Sequence, residues 1–311
     1  MSQKLALVFP GQGSQTVGML ADLYAEYAIV RDTFAESSAA LGYDLWQLVA
    51  NGPEADLNET HRTQPALLTA SVAIWRLWQQ QGGGTPDYLA GHSLGEYSAL
   101  VCAGVLSLGD AVSLVEKRGQ YMQTAVPAGT GAMSAIIGLD DALIAKACDE
   151  AAQGEVVSPV NFNSPGQVVI AGNKAAVERA NELCKAAGAK RALPLPVSVP
   201  SHCALMKPAA AQLASDLASM SFNAPSFAVV NNVDVAIAAD EAAVKDALVR
   251  QLYSPVRWTE TIEWLSAQGV TQVVEIGAGK VLNGLVKRIN RDLEVSSVND
   301  LASFKAAFAA E

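Results

Sequence analysis

Gly91-His92-Ser93-Leu94-Gly95 decides how this chain is read. The run Tyr88-Leu89-Ala90, led in by Pro86-Asp87, reads as the end of a strand. Glu96-Tyr97-Ser98-Ala99-Leu100-Val101-Cys102-Ala103 contains neither proline nor glycine and reads as a helix. A serine within G-x-S-x-G on a sharp strand-to-helix turn is a nucleophile elbow. Gly91 and Gly95 lack Cβ atoms, so strand and helix can approach closely around a strained serine. The helix N-terminus would then direct backbone N–H groups at an oxyanion formed beside Ser93. The competing reading is a chance G-x-S-x-G, and the strand-turn-helix context favours the elbow.

Working outward, Leu5-Ala6-Leu7-Val8-Phe9, ended by Pro10-Gly11, reads as a buried parallel strand. Residues 65–81 read as a helix, and Ser107 or Asp110 caps another that runs to 125. Residues 271–276 read as a strand, turned by Gly277-Ala278-Gly279 into a helix over 280–291. Alternating strands and helices imply a parallel sheet covered on both faces. The middle of the chain differs. Strands over 132–139, 156–161, 167–171 and 190–197, with helices over 140–152 and 175–187, give the order β-α-β-β-α-β of the ferredoxin-like motif. The fold class expected is therefore α/β: a hydrolase-like domain over 1–127 and 198–311, interrupted by a small ferredoxin-like domain over 128–197. A cleft between them is the expected ligand site.

The chain has 311 residues, half of them hydrophobic, and a formal net charge of −10. That charge argues against general nucleic-acid binding. No apolar run is long enough to span a membrane, and Met1-Ser2-Gln3-Lys4 runs into the first strand without the regions of a signal peptide. The four cysteines, Cys102, Cys148, Cys184 and Cys203, form no C-x-x-C pair. Neither a metal site nor a disulfide framework is expected, and reduced thiols point to the cytoplasm.

Ser93 needs a base, and the chain has three histidines. His92 adjoins Ser93 on a tight turn, where side chains diverge. His61 precedes a helix among polar residues and is expected to face solvent. His202 stands at the inferred return from the small domain, and elimination favours it; its structural alternative is a hydrogen-bonded histidine at a helix start. A neutral imidazole there would take the serine proton and return one to the leaving group. No acidic residue adjoins His202, so a backbone or amide carbonyl would have to orient it. Arg118 falls on the apolar stripe formed by Ala111, Leu114, Val115, Met122 and Ala125. A buried guanidinium without an anion is costly: Arg118 either snorkels or pairs with a protein carboxylate, the structural role that spacing alone favours, or awaits a ligand carboxylate, which its planar fork grips bidentately. The loop Pro10-Gly11-Gln12-Gly13-Ser14-Gln15 lacks phosphate-loop spacing, as does Gly277-Ala278-Gly279-Lys280. The first is better read as supplying an N–H that completes an oxyanion hole with the amide of Leu94.

Taken together, Phe9-Pro10-Gly11-Gln12-Gly13-Ser14-Gln15, Thr63-Gln64-Pro65-Ala66, Gly91-His92-Ser93-Leu94-Gly95-Glu96, Arg118-Gly119-Gln120-Tyr121-Met122, Asn161-Phe162-Asn163-Ser164-Pro165-Gly166-Gln167, Ser201-His202 and Gly277-Ala278-Gly279-Lys280 resemble the malonyl-CoA:acyl carrier protein transacylases. The resemblance is in order along nearly the whole chain and is nearest to the bacterial stand-alone type; Ala278 departs from the proline frequent there. It implies Ser93 as the acylated nucleophile, His202 as its base, the amides of Gln12 and Leu94 as the oxyanion hole, and Arg118 as the clamp on the malonyl carboxylate. It further implies that Gln64 and Met122 lie near the acyl pocket and that Gln251 orients His202 through a carbonyl. The implied substrate is malonyl-CoA and the implied partner an acidic acyl carrier protein, with Lys287, Arg288, Arg291, Lys190 and Arg191 as candidate docking residues. No cofactor is implied, and a monomer is expected. Three rivals stand beside this reading: an acyltransferase for another dicarboxylic extender unit, a serine thioesterase or esterase, and a carrier-binding scaffold with an inactive elbow.

Overall fold

The computed structural model describes residues 3–197 and 199–309. Met1 and Ser2, within the leader reading, and Ser198, where the second part of the large domain was placed, lie outside the described residues. The strands are β1 (Lys4–Phe9), β2 (Tyr88–Gly91), β3 (Gly131–Ile137), β4 (Val157–Ser164), β5 (Gln167–Asn173), β6 (Arg191–Pro194), β7 (Ala228–Val230), β8 (Val270–Ile276) and β9 (Glu294–Val298).

Five of them form one sheet in the order β7-β2-β1-β8-β9, and every pairing in it is parallel. The central strand β1 is buried from Leu5 to Phe9, as a strand covered by helices on both faces requires. One face packs on the long helix Thr60–Gln80, whose residues from Thr63 to Ile74 are all buried. The other carries Val256, Trp258, Ile262, Leu282 and Val286, also buried. β7 and β9 were not read from the sequence: β7 is three residues long, and β9 alternates exposed and half-buried positions without an apolar run.

The remaining strands form an antiparallel sheet in the order β4-β5-β3-β6. With helices Asp141–Ala152 and Lys174–Ala186 on one face, this is the ferredoxin-like arrangement expected of the β-α-β-β-α-β order. Gly166, at φ 73°, closes the β4–β5 hairpin where the turn Pro165-Gly166 needs a left-handed residue.

Main-chain bonds tie the small sheet to the loop that precedes helix Trp258–Ala267. The N–H of Phe162 donates to the carbonyl of Val256 at 3.0 Å, and the N–H of Val256 to that of Val160 at 2.8 Å. The helix expected from residue 65 begins at Thr60, which places His61 inside it, half-buried, rather than ahead of it in solvent. Pro65 therefore lies within the helix at the cost of one hydrogen bond; the buried apolar run that follows holds the helix in place. No helix among the described residues is long and apolar enough to cross a membrane. All four cysteines are buried free thiols.

Candidate active site

The carboxyl ends of β1, β2 and β7 converge, and each is followed at once by a residue of the site: Gln12, Ser93 and Asn232 respectively. This is where parallel α/β sheets present their ligand crevices. The turn after β2 is extremely tight. A Cβ on Gly91 would lie 1.9 Å from the carbonyl carbon of Gly95, and one on Gly95 would lie 2.1 Å from the carbonyl oxygen of Phe9. Only glycine permits helix Leu94–Cys102 to start so near β1 and β2.

Ser93 sits at the apex with φ 52° and ψ −108°, a conformation that costs energy for any residue with a side chain. Asn232, fully buried, holds it there. Its Oδ1 accepts the N–H of Ser93 at 2.8 Å, and its Nδ2 donates to the carbonyl of Gly91 at 2.6 Å.

His202 also has a left-handed backbone, at φ 63°. Its N–H donates to the carbonyl of Leu252 at 3.0 Å. Its Nε2 is 2.7 Å from Ser93 Oγ, and its Nδ1 is 2.7 Å from the backbone carbonyl of Gln251. A carbonyl only accepts, so Nδ1 carries the proton; a neutral ring then presents Nε2 as acceptor to the serine hydroxyl. Burial, joined by the positive charge of Arg118, pushes the His202 pKa down to about 3. The imidazole is thus a neutral base at ordinary pH. The carbonyl in question is main chain; the Gln251 side chain turns elsewhere.

His92 points away from Ser93 Oγ. Its Nε2 lies 2.8 Å from Oδ1 of Asn163, on the small sheet, and burial lowers its pKa. Gln12 is exposed, and its side chain donates to Thr60 Oγ1 at 2.8 Å. The backbone N–H groups of Gln12 and Leu94 donate to nothing among the described residues.

Arg118 is fully buried in helix Leu108–Thr124, on the stripe with Ala111, Leu114, Val115 and Met122. Gly119 lets that helix touch the start of helix Thr60–Gln80, since a Cβ there would lie 2.4 Å from the Cα of His61. Nη1 of Arg118 donates to Oε1 of Gln64 at 2.6 Å. Nη2 reaches Oε1 of Gln251 at 2.9 Å and Ser93 Oγ at 3.2 Å. The guanidinium lies 5.3 Å from the Tyr97 ring centre. Its Nε has no partner among the described residues. Burial draws its pKa below the usual arginine value, yet a guanidinium stays protonated. A full positive charge therefore stands beside the serine oxygen, hydrogen-bonded among the described residues to two carboxamides and that hydroxyl, with no carboxylate at ion-pair distance. Gln64 Nε2 donates to Thr60 Oγ1 at 2.9 Å and lies 3.7 Å from Met122 Sδ.

Three residues of this network were not singled out from the sequence: Thr60, Asn232 and Glu96. Glu96 is buried, and its Oε2 accepts from the N–H of Asn232 at 3.0 Å and from Gln251 Nε2 at 2.8 Å. Burial raises its pKa to about 7 against those bonds and the Arg118 charge. Glu96 was legible as the last letter of G-H-S-L-G-E; Thr60 and Asn232 carried no motif. The five candidate docking cations lie apart from the site and are all exposed. Arg288 bonds to Oε1 of Gln167 at 2.6 Å. Gln167 and Arg191 both pair with Ile137 across the small sheet.

A buried arginine and a serine–histidine pair around a strained elbow can accept an acyl group that carries its own carboxylate. The model of the acyl transferase domain matches residues 6–304. The malonyl CoA-acyl carrier protein transacylase of Salmonella typhimurium is 68% identical over 304 residues, covering 98% of both chains. A crystal structure of an acyl carrier protein S-malonyltransferase from Vibrio cholerae is 70% identical with a TM-score of 0.96, covering 98% of this chain and 99% of that one. A malonyl-transacylase solved in complex with a type II PKS acyl-carrier protein is 64% identical with a TM-score of 0.98, covering 99% of this chain and all of that one.

Proposed function

This chain belongs to the acyl transferase domain family, and we propose that it moves the malonyl group of malonyl-CoA to the phosphopantetheine thiol of acyl carrier protein, supplying extender units for fatty acid synthesis. In the first half-reaction Ser93 Oγ attacks the thioester carbonyl while His202 Nε2 takes its proton. The tetrahedral oxyanion is met by the amides of Gln12 and Leu94. As the C–S bond breaks, the imidazolium returns the proton to the CoA sulfur. In the second half the carrier thiol gives its proton to His202, its sulfur attacks the malonyl-serine ester, and the proton passes back to Ser93 Oγ. The backbone carbonyl of Gln251 holds the imidazole, doing the work an acid does in a triad.

The observation that carries this reading is Arg118, buried and charged, with a donor 3.2 Å from Ser93 Oγ and no carboxylate in contact. A site built around such a charge rejects acyl groups that leave it unpaired. Gln64 fixes the guanidinium from the other side, with Met122 beside it. The charge selects the acyl group; transfer to a carrier thiol rather than release of free acid is what separates this reading from a hydrolase. We place the boundaries of the large domain at 1–127 and 198–311, and the carrier on the basic surface of Lys287, Arg288, Arg291, Lys190 and Arg191. The enzyme is read as a cytoplasmic monomer without a cofactor.

Mass spectrometry after mixing with malonyl-CoA tests the first half. An adduct of malonyl mass on Ser93, discharged by acyl carrier protein, is expected; an active enzyme without that adduct refutes the mechanism. Arg118→Ala should lower the malonyl-over-acetyl preference by about a hundredfold, the scale of a lost charged hydrogen bond in a buried site. An unchanged preference refutes the role of Arg118.

A further inference from the structure

Glu96 takes no part in the steps above, yet it is bonded into their centre. It lies three residues after Ser93 on the elbow helix and is buried. Arg118 takes part in none of the ion pairs among the described residues. Its connection to Glu96 runs through one carboxamide: Arg118 Nη2 donates to Gln251 Oε1 at 2.9 Å, and Gln251 Nε2 donates to Glu96 Oε2 at 2.8 Å. The same Nε2 lies 3.1 Å from the Ser93 carbonyl.

A carboxamide has one accepting end and one donating end. A guanidinium only donates, while the Ser93 carbonyl and the Glu96 Oε2 on the other side accept, so a single orientation of Gln251 satisfies its neighbours. Glu96 selects that orientation. A direct Glu–Arg pair would occupy the fork bidentately and force an incoming carboxylate to compete for it. With Gln251 interposed, the Glu96 oxygen stands one residue back, and Nη2 stays at the serine.

We propose that Glu96 is a positioning residue for the acyl carboxylate: acting through the Gln251 carboxamide, it aims Arg118 at Ser93 and leaves the guanidinium free of a protein counter-ion. The proposal rests on Arg118 being the malonyl clamp.

The test compares the parent enzyme with Gln251→Leu, Glu96→Leu, the double variant, Glu96→Gln and Arg118→Ala. Transfer to acyl carrier protein is measured from malonyl-CoA and from acetyl-CoA. Ser93 is labelled separately with a small neutral fluorophosphonate. Gln251→Leu and Glu96→Leu should each raise the malonyl-CoA KM by about tenfold, a charge-assisted hydrogen bond's worth. The readout is the ratio of the two donors: the malonyl-CoA KM should rise about tenfold more than the acetyl-CoA KM, while the labelling rate reports separately any change at the Ser93 elbow, whose carbonyl also meets Gln251 Nε2. The double variant should match Gln251→Leu alone, since a residue that acts through another adds nothing once that partner is gone. Glu96→Gln, which returns an acceptor oxygen to Gln251, should recover most of the malonyl-CoA KM.

Losses that multiply in the double variant, or that fall equally on both donors, overturn the proposal. So does an unchanged malonyl preference in Gln251→Leu, whether or not Glu96→Leu folds. If Arg118→Ala also leaves the preference intact, the clamp reading itself has failed. If Arg118→Ala abolishes the preference while the other variants keep it, only the role of Glu96 is lost.

Discussion

At the scale of the residue, the site depends on main-chain atoms as much as on side chains. The imidazole of His202 is oriented by the carbonyl of Gln251, and the strained N–H of Ser93 is met by Asn232. Ser93, His202 and Arg118 were legible because each carried an anomaly in the sequence: a motif, an elimination among three histidines, a charge on an apolar stripe. Backbone carbonyls carry no residue identity, so sequence could point to Gln251 only by resemblance and could not separate its carbonyl from its carboxamide. Asn232 was invisible because an asparagine after a three-residue strand is ordinary. The depressed pKa of His202 has a measurable outcome. A fluorophosphonate should label Ser93 at a rate that stays flat from pH 8 to about pH 5 and shows no loss near the ordinary histidine value of about 6.5. A fall through that value would contradict the buried, neutral imidazole. Stability does not isolate this group. Between about 3 and 6.5 the unfolded chain holds the extra His202 proton, so that contribution to stability falls as pH drops. Glu96 and Glu275, both raised to about 7 from 4.5, have the opposite slope, because there the folded state holds the proton.

At the scale of the element, helix Leu94–Cys102 is placed by what its neighbours lack. Gly95 faces the carbonyl of Phe9 so closely that any side chain must push the elbow helix off β1. Gly95→Ala should therefore destabilise the protein by about 2 kcal/mol or more, as overpacking does, and lower Ser93 labelling as the elbow shifts. Gly284, exposed in helix Val281–Ile289 with nothing within 4 Å of its notional Cβ, is the matched control. Gly284→Ala should stabilise by up to about 1 kcal/mol through helix propensity. Denaturant titration of both variants reads the two signs; the same sign for both would refute the close-approach argument. Helices and buried strands announced themselves by periodicity and apolar runs. The helix expected from residue 65 starts at Thr60, because burial of the residues that follow Pro65 outweighs the one hydrogen bond that proline removes.

At the scale of the whole molecule, the small sheet is stitched to the loops and helix that flank the large one rather than tethered by the chain alone. Beyond the main-chain bonds around Val256, Thr259 Oγ1 donates to the carbonyl of Phe162 at 3.1 Å, and Asn163 reaches His92. The order of four strands and two helices around the small sheet was readable because each is local in sequence, whereas this stitching joins residues 71 to 97 positions apart. On the docking proposed above, a chain of net charge −10 meets an acidic carrier through a local exception. Lys287→Glu with Arg288→Glu should lower kcat/KM for acyl carrier protein by about tenfold at low salt and by less at high salt, while kcat/KM for malonyl-CoA holds. A loss independent of ionic strength would count against this surface.

The left-handed backbone at Ser93 restricts which chemistries this scaffold can explore. A β-branched residue is a genuine outlier at such φ values, so threonine, whose hydroxyl would serve as well on paper, is shut out by one methyl group. Cysteine, unbranched and of similar size, meets no such bar. From this elbow, a change of nucleophile by single substitution leads toward thiol chemistry and away from the other alcohol.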